Sequence, residues 1–254
     1  MIDIHAHFAE EGYDFPAEWE KIQAAGVKAV VLAGDNVVHS RMHRDFANVH
    51  DGAFFTVGIH PESAGKIFFE GMKEELKALA LEKKCVAVGE IGLDYHYEGY
   101  DKSAQRALFI AQIRLAAELG LPLQIHSRDA CADTISILRE FKDFLTRGFL
   151  MHCYSYGQES LEAFLKLGAY FSFGGVVCFK NARRAVEAVG ACPQERLLSE
   201  TDSPYLSPFR GQKNTPANIP VIVKKLAEIK GVPFAAMQGA LRDNAKRLFP
   251  KITI

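Results

Sequence analysis

Seven residues along the chain share an ability to bind cations or to move protons: His5, His7, His60, Glu90, His126, His152 and Asp202. Histidine nitrogens and carboxylate oxygens are the usual ligands of zinc and related divalent ions. Taken singly, each has a blander reading as a hydrogen-bonded core histidine or a surface acid. Together they stand at the ends of six of the eight short apolar runs in the sequence. Side chains two apart on a strand share a face, so His5 and His7 are expected to point the same way, with Asp3 behind them, close enough to hold one ion. Glu90 emerges from the apolar Val86–Gly89 run, where a carboxylate can bridge two cations with one oxygen each. Asp202, at the last run, can bind an ion and also orient an attacking water. Glu200 sits two residues deeper on the same face, suited to holding a ligand histidine from behind. Arg128, two residues past His126, offers a fork for phosphate. Lys180, Arg210 and Lys213 are further candidate phosphate contacts.

The neighbours of these residues have more ordinary readings. Cys153 follows His152, and strict alternation turns it toward the outside of the sheet rather than making a Cys–His nucleophile. His39, His43 and His50 share a helical stretch and are expected to be solvated.

The elements that must position these groups are legible. Candidate strands are Ile2–His5, Lys28–Ala33, Ala53–His60, Val86–Gly89, Leu123–His126, Phe149–His152, Tyr170–Phe173 and Arg196–Glu200. The segments between them are long enough for crossover helices. One shows Ala104, Leu108, Ala111, Leu115 and Leu119 at helical spacing, with Ser103 as the expected N-cap and Gly120 and Pro122 as stops. Two further helices, Ala217–Lys230 and Phe234–Leu248, close the chain. Alternating β and α elements without hairpin signals indicate a parallel sheet. No G-x-G-x-x-G or Walker A loop supports a doubly wound nucleotide-binding sheet. The expected fold is an α/β TIM barrel, (β/α)8, in which the carboxyl ends of the strands converge on one active face.

Composition sets the remaining bounds. The 254 residues carry a formal net charge of -1, which argues against holding nucleic acid by bulk positive charge. Recognition of phosphate must therefore be local. Five cysteines with no CxxC pair read as reduced thiols in a cytoplasmic protein. No apolar run reaches the ~18 residues of a membrane span. No linker or composition break divides residues 1–254, so one hydrolase domain without an obligate protein partner is expected.

At this level of detail the sequence resembles the TatD deoxyribonucleases of the amidohydrolase superfamily. The matching stretches are Asp3-Ile4-His5-Ala6-His7, Gly58-Ile59-His60-Pro61 and Gly89-Glu90-Ile91-Gly92-Leu93-Asp94-Tyr95. Leu123-Gln124-Ile125-His126-Ser127-Arg128, His152-Cys153-Tyr154-Ser155, Glu200-Thr201-Asp202-Ser203-Pro204-Tyr205 and Arg210-Gly211 with Asn214 follow in family order. The resemblance implies one ion held by His5, His7, Glu90 and Asp202, and a second held by Glu90, His126 and His152. It also implies substrate phosphate at His60 and Arg128, and hydrolysis of DNA from the 3′ end by water activated between two divalent cations. Imidazole-rich ligation suits zinc; the acids also admit magnesium, manganese or cobalt. The sequence departs from the family at Glu62 and Tyr156, both on loops where they bear on substrate fit; Tyr156 could stack on a base or pack on its loop. Two rivals follow from the same fold. One is an amidohydrolase acting on a small ester, amide or phosphodiester, against which Glu90 stands where many such enzymes bridge their metals with a carbamylated lysine. The other is a silent binding protein, which predicts missing ligands; none is missing.

Overall fold

In the computed structural model, which describes residues 1–8, 14–65 and 69–254, strands and helices alternate from end to end. The order is β1 (Ile2–Ala6), α1 (Phe15–Ala24), β2 (Ala29–Leu32), α2 (Val37–Val49), β3 (Ala53–Val57), α3 (Phe69–Ala80), β4 (Cys85–Asp94) and α4 (Lys102–Leu119). It continues with β5 (Leu123–Arg128), α5 (Cys131–Glu140), β6 (Phe149–Met151), α6 (Gln158–Leu165), β7 (Ala169–Phe173), α7 (Arg183–Ala191), β8 (Leu197–Ser199), α8 (Ile219–Lys230) and α9 (Phe234–Leu248). Each strand pairs in parallel with the next, β1 through β8. The seam between β8 and β1 is bonded just beyond β8, where Asp202 N donates to His5 O at 3.0 Å and His7 N donates to Ser203 O at 2.7 Å. The buried Asp3 carboxylate adds to the seam by accepting from Thr201 N and Thr201 Oγ1, at 3.0 and 2.5 Å. The fold is the (β/α)8 barrel.

Two apolar layers hold it. A large cluster fills the space between strands and helices, with Val30, Phe55, Val88, Ile125 and Phe171 facing Trp19, Phe109 and Ile222. A second cluster joins Ile4, Val31, Phe54, Val86, Leu150, Tyr170 and Leu198 to Leu248, Phe249 and Ile252. Drawn from nearly every strand, it fills the barrel interior at its amino end, where the close of α9 and the residues after it form a plug.

The boundaries differ from the expected ones in instructive ways. The helix expected to begin after Ser103 is capped by Asp101, whose carboxylate accepts from Ala104 N at 2.9 Å. The third strand stops at Val57, short of His60, and the eighth at Ser199. Instead of ending at Gly89, β4 runs on to Asp94. Its register against β5 shifts between Val88 and Ile91. Close approach there depends on glycine: a Cβ on Gly89 would lie 2.5 Å from Gln124 Cβ, and one on Gly92, whose φ is +143°, would lie 1.9 Å from His126 O. β1 carries a second register shift, between Asp3 and Ala6.

Candidate metal centre

The shift in β1 decides where His5 points. Asp3 pairs in register with Val30 of the outer layer and turns to the β8 seam. It therefore does not share a face with His5, contrary to simple alternation. The extra residue turns His5 into the barrel, and Gln124 Nε2 donates to the Ile4 carbonyl at 2.7 Å across the interior.

Four atoms meet above this point. His5 Nε2 and His7 Nε2 lie 3.3 Å apart. Asp202 Oδ1 is 3.7 and 3.3 Å from them, and Glu90 Oε2 is 3.5 and 3.7 Å. Ligands at ~2.0–2.2 Å around a tetrahedral ion stand roughly 3.3–3.6 Å apart; His5, His7 and Asp202 form a compact group near that spacing, and Glu90 reaches it through the two histidines. The other oxygen of Glu90 faces a different set. Glu90 Oε1 is 2.8 Å from His126 Nδ1, 2.9 Å from His152 Nε2 and 3.6 Å from His60 Nε2. His126 Nδ1 and His152 Nε2 are themselves 3.3 Å apart. All of these side chains are largely removed from water, and His5 is fully buried. Two donor clusters thus share one carboxylate.

Opposite charges hold the protonation states of the cluster apart from their ordinary values. Burial would raise the Glu90 pKa, but His152, His60 and His5 hold it well below the usual range. Burial would lower His7, but Asp202 and Glu90 raise it to about 9. His152 is likewise raised well above its ordinary value by Glu90 and Glu200 against its own burial. His60 goes the other way: burial pushes it down to about 4, so it stands neutral.

The supporting residues are placed behind these groups. Glu200 is fully buried, with Oε1 at 3.5 Å from His152 Nδ1, and Oε2 accepts from Ser172 Oγ. Asp94, to which sequence reasoning gave no role, places Oδ2 2.9 Å from His126 Nε2 and accepts from His96 N at 2.9 Å. A carboxylate on the outer nitrogen fixes the tautomer that leaves Nδ1 free for a cation. The signal was present, since Glu90, Gly92 and Asp94 alternate onto one face once β4 is read to its full length. Asp35, which pairs with His39 Nδ1 at 2.7 Å and also lines the cavity, left no such signal.

Two expectations are overturned, and a third is decided between its alternatives. Cys153 is not turned away from the mouth; it lines that cavity with His152 as well as a second one beside α7. β6 ends at Met151, and Cys153 adopts φ +44°, so strand alternation no longer applies. Nor are the α2 histidines solvated. His43 is buried, His39 is half-buried on Asp35, and His50 stacks on Phe46 at 3.9 Å between ring centroids. For Tyr156 the structure bears out loop packing over base stacking: its hydroxyl lies 2.8 Å from Ser127 Oγ and accepts from Ala130 N at 3.3 Å. That packing braces the turn carrying Arg128.

The mouth is a cavity of about 610 Å³ lined by His7, His60, Glu62, Glu90, Arg128 and Asp202 among others. Arg128 is exposed at its edge, whereas Lys180, Arg210 and Lys213 are not among its lining residues. A buried imidazole–carboxylate cluster at the carboxyl face of such a barrel defines a class, the cation-binding hydrolase barrels. Within that class the model of TatD related DNases matches residues 2–250, and the chain belongs to this family. It is 37% identical over 253 residues to an uncharacterized metal-dependent hydrolase, YabD, of Bacillus subtilis, covering 98% of each chain. It is 32% identical over 262 residues to the 3′-5′ ssDNA/RNA exonuclease TatD of Cronobacter sakazakii, covering 99% of this chain and 98% of that one. Among solved structures, the TatD homolog YJJV from Escherichia coli superposes with a TM-score of 0.91 at 28% identity, covering 98% of both chains.

Proposed function

We propose that residues 1–254 form one catalytic domain that hydrolyses phosphodiesters in single-stranded DNA from the 3′ end, using two divalent cations. The observation that carries this reading is Glu90, whose two oxygens face separate donor clusters as a bridging carboxylate must. His5, His7, Glu90 and Asp202 would hold one ion, and Glu90, His126 and His152 the other. Zinc suits the imidazoles best, and magnesium, manganese or cobalt fit the acids. When bound, the cations supply Lewis acidity toward the phosphate and lower the pKa of a water toward ~7.

The chain's own groups do the rest. Asp202 takes the proton of the attacking water; its backbone, at φ +56°, presents the carboxylate to the mouth. Asp94 and Glu200 hold His126 and His152 in register. Neutral His60 and the Arg128 guanidinium bind and orient the scissile phosphate. The cavity is of the size that admits a terminal nucleotide and not the middle of a duplex, which supports end-directed action. Among the described residues no helix is long and apolar enough to cross a membrane. All five cysteines are unpaired, which supports a reducing, cytoplasmic setting.

End-labelled single strands and covalently closed circles, incubated with added metal and with chelator, test the reading. Stepwise shortening of the linear strand from its 3′ end, abolished by chelator, is expected. Equal cutting of closed circles removes the end-directed part. No cleavage of any nucleic acid with metal restored transfers the proposal to a small phosphodiester.

A further inference from the structure

Two aromatic rings line the cavity while remaining open to water. Tyr97 is 56% exposed and Tyr205 is 47% exposed. Tyr97 lies just past β4 and Tyr205 just past β8, and in a ring of eight strands these two are diametrically opposed. Between them lies Glu90 with its two donor clusters. Both rings are buttressed by residues of the mouth, Tyr97 also by the His96 ring edge-on at 5.1 Å between centroids. Tyr205 meets the His7 ring edge-on at 5.8 Å between centroids. Tyr97 carries the Arg128 guanidinium 5.3 Å from its centroid, and its hydroxyl accepts from Arg128 Nη1 at 3.4 Å. Among the described residues the other exposed aromatics do not line the cavity; Tyr100, for instance, stacks on Tyr95 at 4.7 Å. Tyr156, which does lie near the mouth, spends its hydroxyl on the Arg128 turn.

We propose that Tyr97 and Tyr205 are stacking platforms for the two bases that flank the scissile phosphate, one on each wall. The proposal rests on the nuclease reading above and gives it a substrate subsite. A scissile phosphate held by His60 and Arg128 above Glu90 leaves its two neighbouring nucleosides directed to opposite sides of the mouth, with a planar ring on each. Aromatic faces accept any base, so the subsites tolerate sequence, whereas bases paired and stacked in a duplex cannot splay between the walls. Arg128, which orients the scissile phosphate, lies over the Tyr97 ring, so phosphate contact and platform stand side by side.

The test crosses enzyme variants with base deletions. The metal-loaded protein and its Tyr97→Ala, Tyr97→Phe, Tyr205→Ala and Tyr205→Phe variants would be assayed on three oligodeoxynucleotides: intact, abasic at the 3′-terminal position, and abasic at the penultimate position. Stacking of a base contributes enough for roughly a tenfold loss in kcat/KM when either partner is removed. Each alanine variant should lose about that factor on the intact strand, chiefly through KM, and should become indifferent to one of the two abasic positions, a different one for each tyrosine. The phenylalanine variants keep the ring and should behave as the wild type. If tyrosine and base deletions multiply independently, or if phenylalanine fails as badly as alanine, the platforms are wrong. A wild type that degrades intact and abasic ends alike overturns the platforms and leaves the nuclease reading standing; one that degrades no oligonucleotide overturns both.

Discussion

At the amino ends of the strands, β-branched and aromatic side chains pack against Leu248, Phe249 and Ile252 in an interior cluster. At the carboxyl ends the same strands terminate in imidazoles and carboxylates, largely buried and mutually charged. The backbone differs as well. Every described non-glycine residue with positive φ lies at the mouth: Asp129 after β5, Cys153 after β6, and Asp202 and Leu206 after β8. Such residues cost of order 1–3 kcal/mol each and persist where the surroundings over-determine them. Here the surroundings are the amino-end plug and the helix layer. The apolar end supplies the stability that lets the other end hold buried charged groups in one place.

The comparison is broken most severely at Glu90. Glu90→Ala should remove the shared donor of both clusters and reduce turnover by about 10³-fold or more, since cation chemistry supplies several kcal/mol of transition-state stabilisation. Metal content by elemental analysis should fall with it, and normal content with normal turnover would sink the bridge. At the other end, Phe249→Ala should lower unfolding free energy by about 3–5 kcal/mol, because the side chain is fully buried. Turnover per folded molecule should be unchanged; a specific loss of turnover would mean that the plug is not separable from the mouth.

The pH dependence of the mouth gives a subtler contrast. In the metal-free protein His7 is raised to about 9, where burial opposes the charge and Asp202 and Glu90 favour it. A raised folded pKa means that its stabilisation is fully present below the unfolded value of ~6.5 and is lost as pH rises through about 9. Chelated wild type should therefore lose up to about 3 kcal/mol across that window relative to His7→Gln. Parallel denaturation curves for the two proteins at both ends of the window would refute it. The smallest effect is expected at Asp94, where Asp94→Ala frees the outer nitrogen of His126. Metal affinity or activity should fall by about 10–100-fold, with rescue toward the wild type by Asp94→Asn, which keeps a hydrogen-bond acceptor. Equal failure of both variants would point to a structural role.

Much of this was legible from local patterns. Apolar runs of strand length alternating with helical spacing announced the barrel, and the second C-terminal helix, Phe234–Leu248, begins and ends where its periodicity does. The ring of His5, His7, His60, Glu90, His126, His152 and Asp202 was visible because strand ends in a barrel converge whatever the sequence between them. Side-chain direction was legible only where strands stay regular. Alternation put Asp3 beside His5 and turned Cys153 away, and both assignments failed where the chain departs from the strand geometry, at the β1 register shift and beyond the last residue of β6.

What the sequence by itself determined is the periodic part: which residues are strand, which are helix, and which polar groups stand at the strand ends. A period of two or of 3.6 residues is a property of neighbouring residues along one chain. Only the tertiary structure decided which oxygen of Glu90 faces which histidines, that Asp94 backs His126, and that Tyr97 and Tyr205 rather than Tyr156 stand open at the mouth. Those relations join residues on different strands, and their distances depend on register shifts, left-handed turns and close glycine contacts summed around the whole ring.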